Sequence, residues 1–121
     1  MIKFSDKTLD GGVHIKRYQV DNASDLIDEV INSNLSISTA TIREDADLGM
    51  HTFFDRTMSY NEFLNFYPMV STSVGSVSFD LNDNMGSSIY FDTVNDIAVL
   101  QSNDPDLELS DIVEKKTIGG K

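Results

Sequence analysis

Apolar residues recur at two spacings along this chain: every second residue through most of it, and every third or fourth in two stretches. Ile2 and Phe4 alternate like a short strand, Asp10-Gly11-Gly12 supplies a turn, and Val13 to Val20 follows as a longer strand. Its apolar phase shifts between Ile15 and Tyr18, as expected of a bulge or of a strand covered on both faces. Ala23, Leu26, Ile27, Val30 and Ile31 then fall at i, i+3, i+4, i+7 and i+8, the stripe of an amphipathic helix. Asn22 suits its N-cap, Asp25 lies near the positive end of the helix dipole, and Asn34 can adopt the left-handed conformation that ends it. Asp25, Asp28, Glu29 and Asn32 make up the outward face.

Leu35 to Ile42 is rich in β-branched residues and reads as a strand. Arg43 to Gly49 reads as a charged connection, and Met50 to Phe54 as another strand. Ser59 and Glu62 form an S-x-x-E capping pattern, with Met58 and Phe63 at the hydrophobic-staple positions. They announce a short helix over 60–66, which Pro68 closes. Val70, Thr72 and Val74 share a strand face, Gly75 marks a phase slip suited to a bulge, and Val77, Phe79 and Leu81 continue the apolar face. Asn82 to Gly86 is a turn, Ile89 to Phe91 the returning strand, and Asn95-Asp96 a tight turn into Ile97 to Leu100. Asp104-Pro105 has the form of a cap with Pro at the first helical position, opening a final helix through Glu114.

The resulting order, ββαββαβββα, predicts an α+β fold: a largely antiparallel sheet with two to three helices packed on one face. Residues 1–116 are expected to form a single domain and 117–121 a flexible tail.

Composition narrows the picture. With 121 residues, 40% of them hydrophobic, the chain can build a core without metals or disulfides. Cys is absent, which excludes disulfide scaffolds, thiolate zinc sites and thiol catalysis, and fits a cytoplasmic protein. The first residues lack the apolar run of a signal peptide, and no stretch approaches the roughly 20 apolar residues of a membrane helix, so a soluble protein without membrane contact is expected. The net charge is −11 and unevenly placed: residues 57–114 hold ten acids and no Lys or Arg. That stretch disfavours direct nucleic-acid binding and favours basic partners.

Candidate chemistry is sparse. Asp80, Asn82 and Asn84 match the first three ligand positions of a calcium loop, but Gly86 comes one residue late and Phe91 stands where a bidentate Glu belongs. A hairpin turn explains the same residues. His14 and His51 are the only histidines; with an acid such as Asp55 they are the components of a two-His-one-carboxylate site, although neither has a ligand-like spacing. No G-x-S-x-G elbow, phosphate-binding glycine pattern or distinctive carboxylate pair is present, so no cofactor or metal is expected.

The acidic block carries the functional reading: a non-enzymatic interaction protein, of inhibitor or immunity type, meeting a basic surface of a protein partner. Its expected contact residues are Asp80, Asp83, Asp92, Asp96, Asp104, Asp106, Glu108 and Asp111, with Tyr60, Tyr67 or Tyr90 as aromatic anchors. The alternatives are a small hydrolase or metal-dependent enzyme built on His14, His51 and nearby acids, and an assembly subunit completed at a sheet edge.

Overall fold

A computed structural model of the chain describes residues 1–46, 52–71 and 74–113. Seven strands alternate with two helices: β1 (Ile2–Thr8), β2 (His14–Gln19), α1 (Ala23–Ile31), β3 (Ile37–Ala46), β4 (Thr52–Ser59), α2 (Tyr60–Val70), β5 (Ser76–Leu81), β6 (Ser88–Asp92) and β7 (Ile97–Ser102). All the strands join one sheet in the order β1-β2-β7-β6-β5-β3-β4, and every neighbouring pair is antiparallel. The α+β class and the antiparallel sheet expected from the sequence are therefore present.

The register explains the core. Residues opposite one another in antiparallel strands share a face, so one row runs Lys16, Leu100, Ile89, Phe79, Ala40, Met58 across the sheet. The next runs Tyr18, Ala98, Phe91, Val77, Ile42, Arg56. Apart from Arg56, these residues are buried, and the apolar ones form one cluster with Leu26, Ile27 and Val30 of α1 and Phe63 and Tyr67 of α2. Phe63 meets Phe79 edge-on at 5.2 Å and stacks on Tyr67 at 5.1 Å, which fixes α2 to the sheet. The opposite face presents Arg17, Val99, Tyr90, Ser78, Thr41 and Thr57 in one row, the polar exterior that an antiparallel sheet can turn to water.

Several local expectations change. The last helix shrinks to a single 3-10 turn at Leu109–Asp111, because Asp104 and Pro105 open a turn and the chain then runs extended to Glu108. Leu109, Ile112 and Val113 still reach the core, so burial there is met without α-helical periodicity. Glu114 lies outside the described residues, as do the tail, Met50 and His51. Arg43 to Ala46 belong to β3, paired with β4 on one side and, through Arg43, with β5 on the other; β4 continues to Ser59.

Helix α2 runs through Pro68 to Val70. A single proline this close to the C-terminus forfeits one hydrogen bond, and its ring is on the exposed side. Val70 thus ends a helix and does not begin a strand. Gly75 precedes β5: its N–H donates to Arg43 O at 2.8 Å, although the register partner of Arg43 is Ser76, and its carbonyl accepts from Thr93 N at 3.0 Å. A register shift of that sheet region falls in β3, at Ser38. Strand β2 does not bulge. Its phase shift arises because a lysine, Lys16, occupies an inward position; the register slip is in β1, at Phe4. Helix α1 ends at Asn32, with φ −91°, where the side chain donates to Asp28 O at 2.8 Å; the left-handed termination at Asn34 is not used.

Candidate functional site

The eight candidate carboxylates occupy four places. Asp80 is on the outward face of β5 and accepts from Thr39 Oγ1 at 2.9 Å. Asp83 closes the β5–β6 turn, accepting from Met85 N at 3.0 Å and Ser87 N at 3.1 Å, with Gly86 at φ 60°. This is the hairpin reading of the calcium-like loop. Asn103 N donates to Met85 O at 2.8 Å, which draws Asp104 and Asp106 to the same end of the sheet as Asp83.

Asp92 and Asp96 are at the opposite end. Asp92 accepts from Val94 N and Asn95 N, at 2.9 and 3.0 Å. Its partial burial raises its pKa, but these bonds and one from the Asn95 side chain outweigh that and hold the carboxyl below its usual range. Asp83 is also lowered, chiefly by its bond with Ser87. Asp96 has φ 56° and takes the Ala23 N–H at 2.9 Å, satisfying one of the orphan donors of α1.

Glu108 and Asp111 belong to the segment lying over β1 and β2. Asp111 caps that segment internally by accepting from Glu108 N at 2.9 Å. Glu108 gathers three donors: Tyr18 Oη at 2.6 Å, Lys16 Nζ at 3.0 Å and Lys3 Nζ at 3.1 Å. Lys16, only 3% exposed, also donates to the carbonyls of Pro105 and Leu107, both at 2.7 Å, so its ammonium is fully satisfied. Burial opposes the charge on Glu108, yet the three bonds bring its pKa down to about 2. Tyr18 is pushed well above its ordinary value, first by burial and then by its bond to Glu108. Glu108 is therefore part of the fold's internal wiring as well as of the acidic block. The sequence signal for this cluster was the polar Lys16 inside an otherwise apolar phase.

Of the residues of the enzyme alternative, His14 and Asp55 lie far apart. His14 is on β2, its Nδ1 3.0 Å from Thr8 Oγ1, and Asp55 is on β4. Five strand spacings of about 4.8 Å put these strands about 24 Å apart. His51 lies outside the described residues, and among those residues no group of three His, Asp or Glu side chains is placed to hold a metal. Of the aromatic anchors, Tyr90 is exposed, Tyr60 half-buried, and Tyr67 buried.

A cleft of about 450 Å³ opens between α1 and the C-terminal end of α2, lined by Ser24, Asp28, Tyr67, Ser71, Val74, Thr93 and Val94. Asp28 stands one helical turn from Asp25; partial burial, then the Asp25 charge, raise its pKa. Tyr67 is 4% exposed, and burial followed by the Asp28 charge pushes its phenol up to about 12. Thr93 Oγ1 donates to Val74 O at 2.5 Å, tying the two lining loops together. Sequence reasoning missed this site. Its one hint was the Asp25/Asp28 pair on a helix that contains no Lys or Arg.

No protein-family model matches the chain, and neither the curated proteins nor the solved structures give a match to it. Among the described residues, no helix is long and apolar enough to cross a membrane.

Proposed function

We propose that the protein is a non-enzymatic interaction protein, of inhibitor or immunity type, that meets a basic surface of a protein partner with carboxylates from the 80–111 stretch. The observation that supports this reading is the distribution of ion pairs. Lys3, Lys16 and Arg56 are engaged by Asp6, Glu108 and Glu62. Among the described residues, Asp80, Asp83, Asp92, Asp96, Asp104, Asp106 and Asp111 have no cationic partner. Most of them spend one or two lone pairs on nearby N–H or O–H donors, which orders the carboxylate, while its charge stays available. Ordered charges steer association and set register.

Asp83, Asp104 and Asp106 form the sharpest test, because they share one end of the sheet and none is wired to the core. Replacing all three with Lys is expected to weaken binding to a basic partner at least about tenfold and to flatten its salt dependence. Unchanged affinity would remove the reading.

Assembly through a sheet edge is a second reading, with one observation in its favour. Strand β1 is an edge, and its Ile2 and Phe4 are 68% and 53% exposed. It requires a mass in solution that rises with concentration; a strict monomer excludes it.

A further inference from the structure

The cleft between α1 and α2 has a chemistry of its own. Its charged and hydroxyl-bearing wall consists of Asp28, Tyr67, Ser24, Ser71 and Thr93, and no Lys, Arg or His lines it. Every one of these side chains can accept a hydrogen bond. Two are left over by the fold. The Asp28 carboxylate has no hydrogen bond or ion pair among the described residues, and the Tyr67 hydroxyl, on a side chain more than nine-tenths buried, has no hydrogen-bond partner there either. The Tyr67 ring is packed into the fold while its hydroxyl is not sealed from solvent, so a ligand in the cleft can reach it. Val74 and Val94 add an apolar wall, the second of them 67% exposed at the rim.

We propose that this cleft receives an alkyl-guanidinium group: the end of an arginine side chain projecting from the basic partner, or a free guanidinium compound. A guanidinium offers only donors, five N–H bonds in a planar fork, to a wall rich in acceptors. The carboxylate of Asp28 takes the fork, the Tyr67 hydroxyl accepts one further N–H, and the aliphatic stem lies on Val74 and Val94. A cation there also relieves the Asp25–Asp28 repulsion on α1. The assignment to a partner's side chain rests on the function proposed above; the assignment of the chemistry does not.

The test is a titration of the full chain, followed by backbone amide shifts in NMR, with N-acetyl-arginine methylamide and with its neutral citrulline analogue. Saturable shifts at Ser24, Asp28, Tyr67, Ser71, Thr93 and Val94 are expected from the arginine compound alone. Asp28→Asn should weaken them at least about tenfold and Tyr67→Phe severalfold, both being near-isosteric changes whose folding the same spectra report. No saturable response at these residues up to about 20 mM, an equal response to citrulline, or full affinity in Asp28→Asn overturns the inference, since 20 mM corresponds to only about 2.3 kcal/mol of binding. Partner capture separates the sources. Capture lost on Asp28→Asn assigns the cleft to the partner's arginine; capture retained by Asp28→Asn, with the arginine compound still binding the unmodified chain, assigns it to a free compound. A responding cleft without any basic partner overturns the preceding reading alone.

Discussion

Lys16 and Glu108 lie 92 residues apart in the chain, yet their charged atoms meet at 3.0 Å beneath the segment that follows β7. The lysine sits in an inward row of the sheet, where its neighbour across β7 is Leu100. Removing Glu108 strands a buried ammonium, and Glu108→Ala is expected to destabilise the fold by about 3 kcal/mol, the low end for a broken buried pair because water reaches the carboxylate. Urea denaturation measures it. A loss below about 0.5 kcal/mol would mean that the cluster does not hold the segment.

Lys16→Met tests the same cluster from the other side. It removes the buried charge but leaves the Pro105 and Leu107 carbonyls without their donor, a cost of about 1–3 kcal/mol each. The methionine recovers part of that through apolar burial, so a net loss of about 2 kcal/mol is expected in the same denaturation experiment.

Acid sensitivity follows from the carboxylates held below their usual range. Glu108 titrates at about 2 in the fold against an ordinary 4.5, and Asp83 and Asp92 are lowered as well. The unfolded chain therefore binds these protons first. The stabilisation is complete above about pH 4.5 and is lost as pH falls from there towards about 2. Glu108→Gln should be less stable than the native chain at neutral pH and should show a shallower decline across that window. Parallel profiles for the two proteins would contradict the assignment.

Asp96 combines a left-handed backbone with a side-chain bond to the first turn of α1. Asn tolerates that conformation and keeps an acceptor oxygen, so Asp96→Asn should cost less than about 0.5 kcal/mol. Asp96→Ala loses both features and should cost about 2 kcal/mol. Thermal unfolding of the two variants checks the difference; equal midpoints would show that neither feature contributes.

The elements that were legible are those in which one local signal dominates. Helix α1 was readable because its apolar stripe and Asn22 cap agree, and Asn22 does accept from Asp25 N at 3.1 Å. Ser59 likewise accepts from Glu62 N at 3.3 Å, although the Glu62 side chain turns to Arg56 at 2.7 Å and does not complete a reciprocal cap. The segment after Asp104 misled because Asp-Pro opens a turn and a helix equally well; the contacts that keep it extended come from Lys16, distant in sequence. Tertiary partners also account for the strand character of Arg43 to Ala46, whose polarity resembles a loop while β4 pairs with all four. The charge block was visible in the sequence. That Glu108 is drawn inward, and that Asp28 and Tyr67 share a cleft, depends on which elements the fold brings together.

Affinity capture from the native host, with the unmodified chain and its Asp83→Lys/Asp104→Lys/Asp106→Lys variant as parallel baits, tests the central claim most directly. It is run at about 0.1 M and about 1 M salt, where the screening length falls from about 10 Å to about 3 Å. The account predicts a basic protein retained by the native bait at low salt, released at high salt and missing from the variant at both. Identical retention on the two baits, or binding that ignores salt, would contradict it.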